Sequence, residues 1–86
     1  MRNRSLEKGS DVILVVDDEA SLRQFVSDIL SADGWKVWPA ASAEEALSEL
    51  EEKRPVAAFV DLILPGMGGL EMLAEIKRRL PKTEVV

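Results

Sequence analysis

Val56-Ala57-Ala58-Phe59-Val60-Asp61 is the stretch that decides the fold. Five small or apolar residues, with β-branched Val56 and Val60 and aromatic Phe59 among them, read as a short buried strand. A carboxylate ends it. An acid closing a buried strand, followed by Leu62-Ile63-Leu64-Pro65-Gly66-Met67-Gly68-Gly69, sits where parallel α/β sheets carry their chemistry, outside the carboxyl ends of the strands.

Upstream, Val12 to Val16 is a continuous aliphatic run, as a parallel strand covered on both faces requires, and it stops at Asp17-Asp18-Glu19. Ser21 offers an N-cap with Gln24 three residues on, and Leu22, Phe25, Val26, Ile29 and Leu30 recur at helical intervals up to Gly34, a C′ residue. Trp35 to Trp38 reads as a second strand ending at Pro39. Ser42 and Glu45 repeat the capping-box spacing, and a second helix is predicted over Ala43 to Lys53, with Ala46, Leu47 and Leu50 inward and Pro55 closing it. Downstream of the Asp61 strand, Leu70, Leu73, Ile76 and Leu80 mark a third helix ending near Pro81, and Thr83 to Val86 begins a fourth strand. The order β-α-β-α-β-α-β calls for a doubly wound parallel sheet with right-handed crossovers and helices on both faces.

The chain has 86 residues, which allows one domain with a thin core. Sixteen acids against 11 bases give a net charge of −5, which argues against a nucleic-acid surface; Lys77, Arg78, Arg79 and Lys82 form only a local basic end. There is no cysteine and no histidine, so disulfides, thiolate metal sites and imidazole catalysis are excluded and any metal must be held by oxygen. Residues 1–11 are polar, lack an apolar signal core and read as a flexible lead in a cytoplasmic protein; residues 12–86 form the domain. No run approaches the roughly 20 apolar residues of a membrane span.

In a doubly wound sheet the first and third strands can be neighbours, so Asp17, Asp18 and Asp61 would converge. Three carboxylates together repel one another unless a cation sits among them, and an all-oxygen site with room for water suits Mg²⁺. A carboxylate beside Mg²⁺ can attack phosphorus and form an aspartyl phosphate. Taken singly, each motif has a plainer use: paired acids also serve as helix N-terminal charges, and an Asp before Pro and Gly also makes a turn. Their joint presence after the first and third strands of one unit favours the shared site.

Val15-Val16-Asp17-Asp18-Glu19, with Phe59-Val60-Asp61-Leu62-Ile63-Leu64-Pro65-Gly66-Met67-Gly68-Gly69-Leu70-Glu71, resembles the receiver domain of two-component response regulators. The resemblance runs from about Val12 to Val86, with Gly34, Ala43-Glu44-Glu45-Ala46-Leu47 and Pro55 also in matching places. It implies a flavodoxin-like (CheY-like) α/β fold, with sheet order 2-1-3-4-5 and phosphoryl transfer from a histidine kinase or phosphotransfer protein. Carried over by position, Asp61 is the phosphoacceptor; Asp18 and Asp61 bind Mg²⁺ directly, Asp17 binds it through water, and the Ile63 backbone carbonyl is a further ligand. Such a domain is a phosphoacceptor rather than an enzyme, with self-catalysed phosphorylation and dephosphorylation. Ile63, two residues past the acceptor, is expected to hinder a water attacking the phosphoryl group.

Two departures stand out. Gly68 replaces the family's usual Asp or Asn, removing a side-chain cap at a cost of a few tenths of a kcal/mol. The sequence also stops where the family's fourth strand begins, before its hydroxyl residue, its fifth-strand lysine and its last two helices, so the fold is expected to be incomplete at the C-terminus. Bare apolar surface on strands one and three and an open sheet edge are then expected, favouring self-association. Trp35 and Trp38 read as packing residues, as do Met67 and Met72. Two other readings remain at this point: a haloacid-dehalogenase-like phosphatase, although Asp17-Asp18-Glu19 is not that family's Asp-x-Asp, and an interaction module that needs no phosphorylation.

Overall fold

The computed structural model describes residues 11–86. The lead expected over 1–11 therefore lies, but for Asp11, outside the described residues. Four parallel strands, β1 (Val12–Val16), β2 (Lys36–Ala40), β3 (Ala57–Val60) and β4 (Glu84–Val85), form one sheet in the order β2-β1-β3-β4. This is the doubly wound flavodoxin-like sheet, in the order expected for its first four strands. Helices α1 (Ala20–Ala32), α2 (Ala43–Ser48), α3 (Leu50–Lys53) and α4 (Gly69–Arg79) connect them.

The aliphatic run of β1 is central: Ile13 to Val16 are all buried. Leu14 and Val16 face a core built with Ala43, Ala46, Leu47, Leu50, Ala58, Leu64, Met72, Ile76 and Leu80. At roughly 25 cal/mol per Å² of apolar surface removed from water, this layer beneath α2, α3 and α4 supplies most of the driving force. Met72 is fully buried there and Met67 packs at its margin, as packing residues do. Trp38 packs against the same core, with the Lys53 Nζ 5.6 Å from its ring centroid.

The opposite face is thinner. α1 crosses β1 and β2, directing Arg23, Val26, Ser27 and Leu30 inward at intervals of three and four. Leu22, Phe25 and Ile29 share the helix's apolar pattern but lie on its flank, 47%, 61% and 54% exposed. The stripe is wider than the surface beneath it. Strand one is consequently covered, contrary to the sequence expectation; on this face the apolar surface left open is that of α1 itself and of half-buried Ala57 and Phe59 of β3, while Leu62, Ile63, Leu70 and Val86 are exposed elsewhere.

Several local expectations are corrected. Ser21 does not cap α1: the N-cap is Glu19, whose N–H donates to Asp17 Oδ1 (2.9 Å), while the Ser21 hydroxyl donates to Glu19 Oε2 and Gln24 pairs with Asp28. An aspartate two residues upstream starts the helix early. Gly34 does close it, at φ 97°, with Trp35 N–H donating to the Leu30 carbonyl and Gly34 N–H to that of Ser31, a Schellman arrangement. Strand β2 runs through Pro39 to Ala40, because at the sheet edge a residue without an N–H breaks no ladder. The second helix breaks at Glu49: the Ser48 hydroxyl takes the Glu45 carbonyl that Glu49 N–H would use, and that N–H turns to Ala46 instead. Ser42 does cap α2, accepting from Glu45 N–H at 3.1 Å. β3 begins at Ala57 rather than Val56, and β4 is limited to Glu84 and Val85.

Candidate functional site

β1 pairs in parallel with β3, with Val16 opposite Val60. One residue further on, Asp17 and Asp61 therefore leave adjacent strands side by side. Backbone bonds hold both: Asp17 N–H donates to the Ala40 carbonyl (3.2 Å) and Asp61 N–H to that of Val16 (3.0 Å). Each side chain is then aimed by a turn of its own. Asp17 Oδ1 accepts from Glu19 N–H, and Asp61 Oδ1 accepts from Ile63 N–H at 3.0 Å. Asp18 is exposed, and Asp17 and Asp61 are half-buried.

One carboxylate oxygen from each of Asp17, Asp18 and Asp61 lies within 4.8 Å of the others. Two oxygens on opposite sides of one Mg²⁺ stand about 4.2 Å apart, from its 2.0–2.1 Å bond length. The three acids thus fit around a small hard cation with slight closure, or with one of them reaching it through water. No salt bridge among the described residues neutralises the three. Ile63 stands at the rim with its side chain 85% exposed.

Three supporting residues were not singled out from sequence. Gly69, first residue of α4, sits so close to the loop after β3 that a Cβ there would lie 2.3 Å from the Asp61 carbonyl oxygen. Glu44 reaches from α2 to the same loop, accepting from Met67 N–H at 3.1 Å, and Arg23 donates through Nη1 to the Asp17 carbonyl at 2.7 Å. The Gly68-Gly69 pair carried a visible signal of close approach; a Glu and an Arg on helices carried none. The cap at Gly68 is also as expected: Glu71 accepts from its N–H at 3.4 Å, and glycine has no side chain to return the bond.

The basic end resolves into internal contacts. Lys77 Nζ donates to the Pro81 and Thr83 carbonyls, Arg78 pairs with Glu75, and Arg79 binds Glu75 (2.7 Å), the Leu47 carbonyl (3.1 Å) and Glu51 (3.4 Å), stapling α4 to α2 and α3. These charges serve the helix ends.

A family model described as the response regulator receiver domain matches residues 13–86. The chain belongs to the response regulator receiver domain family. This receiver is 41% identical over 76 residues to the nitrogen assimilation regulatory protein NtrX of Azorhizobium caulinodans, covering 86% of this chain and 17% of that protein. It is 31% identical over 68 residues to sporulation initiation phosphotransferase F of Bacillus subtilis, covering 79% of this chain and 55% of that one. Among solved structures, response regulator TrrA of Thermotoga maritima, in complex with Mg²⁺-BeF, superposes with a TM-score of 0.82 at 31% identity, covering 87% of this receiver and 65% of that chain. The receiver thus spans between about a sixth and just over half the length of these two curated relatives. Among the described residues no helix is long and apolar enough to cross a membrane.

Proposed function

We propose that this receiver takes a phosphoryl group onto Asp61 from a histidine kinase or phosphotransfer protein, with Mg²⁺ held by Asp17, Asp18, Asp61 and the Ile63 backbone carbonyl. The observation that carries this reading is the convergence of three carboxylates from two adjacent strand ends, with ligand atoms within 4.8 Å of one another. The relative solved with Mg²⁺-BeF supports it. An Asp61 carboxylate oxygen attacks phosphorus, the phosphorus–nitrogen bond of the donor's phosphohistidine breaks, and its electron pair stays with the imidazole. The bound cation would supply charge neutralisation for the transferring group. The half-buried setting of Asp61 and its hydrogen bond from Ile63 N–H hold the nucleophile in place before the donor arrives. The domain acts as an acceptor, not as an enzyme with turnover on an outside substrate, and works in a cytoplasmic two-component pathway.

Self-association is a second partner we propose, supported by the exposed apolar flank of α1. Direct nucleic-acid contact is not assigned to this segment. The test of the main reading is incubation with Mg²⁺ and acetyl phosphate followed by intact-mass measurement. A single hydroxylamine-sensitive phosphate adduct, absent in Asp61→Asn, is expected; an adduct of equal yield in Asp61→Asn would overturn the assignment.

A further inference from the structure

We infer that Arg23 is a positioning residue for the cation site, controlling its affinity for Mg²⁺ without being a ligand; this rests on the metal reading above. Only Asp17, Asp18 and Glu19 separate the end of β1 from the start of α1. Four hydrogen bonds define that turn: Asp17 N–H to the Ala40 carbonyl, Glu19 N–H to Asp17 Oδ1, Arg23 N–H to the Glu19 carbonyl (3.0 Å), and Arg23 Nη1 to the Asp17 carbonyl (2.7 Å). The last is short, part-buried and has a charged donor, the kind roughly twice as strong as a neutral bond.

Its acceptor is what matters. The Asp17 carbonyl belongs to the peptide unit that joins Asp17 to Asp18, and a trans peptide is a rigid plane. The two carboxylates hang from the Cα atoms at its two ends. Fixing the tilt of that plane fixes where Asp17 and Asp18 stand relative to each other and to Asp61. With the guanidinium gone, the plane is free to rotate, and repulsion among the acids favours the rotation that separates them. Arg23 also brings a positive charge near the cation, which opposes binding. The two effects have opposite signs, so affinity distinguishes a positioning role from a mere counter-charge.

The experiment is a calorimetric titration of the 86-residue chain with Mg²⁺, alongside melting in EDTA and in saturating Mg²⁺, for the unsubstituted protein, Arg23→Met, Arg23→Lys and Asp18→Asn. Arg23→Met is expected to bind Mg²⁺ several-fold to about tenfold more weakly, from the usual strength of a charge-assisted hydrogen bond. Arg23→Lys, which keeps the charge and can place one donor on the carbonyl, is expected to fall between. Equal or tighter binding by Arg23→Met overturns the inference. Should Arg23→Met lose its cooperative melt in EDTA, Arg23→Lys decides: weaker binding supports positioning, equal or tighter binding refutes it. Asp18→Asn separates the two readings, because a saturable site that it abolishes establishes the metal centre whatever Arg23 does. No saturable site in the unsubstituted chain overturns both.

Discussion

Gly69→Ala sets helix propensity against contact, with opposite signs. Gly69 opens α4 and its φ is not left-handed, so on propensity alone alanine would add up to about 1 kcal/mol of stability. The surroundings say otherwise. The new Cβ would stand 2.3 Å from the Asp61 carbonyl oxygen, 2.6 Å from Leu62 Cα and 2.9 Å from Leu62 C, whereas ordinary contact begins at 3.4 Å. All three are backbone atoms that no rotamer change can move. The helix start and the loop after β3 must part by about 1 Å, weakening the Gly69 N–H bond to the Leu62 carbonyl, now 3.3 Å. Overpacking of this kind costs about 1–3 kcal/mol, so a net loss of about 1–2 kcal/mol is expected. With a urea m-value of about 1 kcal/mol/M for a chain this small, the midpoint falls by about 1–2 M. Urea unfolding followed by tryptophan fluorescence reads this. Gly68→Ser is the control, since a side chain at Gly68 meets only Glu71 Oε1 at 3.9 Å and a serine N-cap adds a few tenths of a kcal/mol. A Gly69→Ala midpoint equal to or above that of the parent would refute the contact argument. The displaced atoms are the Asp61 carbonyl oxygen and the adjoining Leu62 backbone, so, on the proposed role of Asp61, the yield of phosphate adduct should fall even at temperatures where the variant is folded.

Three further outcomes follow from the same structure. Arg78, then Arg79, hydrogen-bond the Glu75 carboxyl and hold it at about 2, below its ordinary 4.5. Its contribution to stability is therefore full above pH about 4.5 and disappears as the pH falls toward 2; the urea midpoints of Glu75→Gln and parent should differ at pH 6 and converge across that window, and a constant gap would contradict the pairing. Ile63→Asn should shorten the lifetime of the phosphorylated chain, because the exposed apolar side chain beside Asp61 obstructs an attacking water and asparagine can orient one; equal half-lives count against this. Phe25→Glu, on the exposed flank of α1, should shift the chain toward monomer in sedimentation, whereas a parent already sharply monomeric would remove self-association.

The sheet was legible because period and burial agree. An aliphatic run without alternation means a strand covered on both faces, and β1 sits between β2 and β3 with Ile13 to Val16 buried. Helix ends were less legible, since capping patterns compete. Ser21-x-x-Gln24 matched a box, but Asp17 had already taken the first free N–H. The break at Glu49 was hidden altogether, because neither Ser48 nor Glu49 is a helix breaker by composition, and only the diversion of the Glu45 carbonyl makes the turn. Periodicity likewise showed that α1 is amphipathic without showing how much of its stripe the sheet can cover.

For the site, the acids were legible, and of their supports Gly69 carried a signal while Arg23 and Glu44 carried none, for a physical reason. Asp17, Asp18 and Asp61 lie at strand ends, and parallel register alone brings them together once β1 and β3 are neighbours. Arg23, Glu44 and Gly69 act on the backbone of those loops: one bonds the Asp17 carbonyl, one the Met67 N–H, and one lets α4 approach Asp61. Backbone acceptors and donors are the same at every residue, so no spacing in the sequence marks which side chain will find them. The supports of these two loops come from three different helices, α1, α2 and α4. The backbone around the carboxylates is thus held from three sides at once: α1 through the Asp17 carbonyl, α2 through the Met67 N–H, and α4 through its close approach to Asp61 and Leu62.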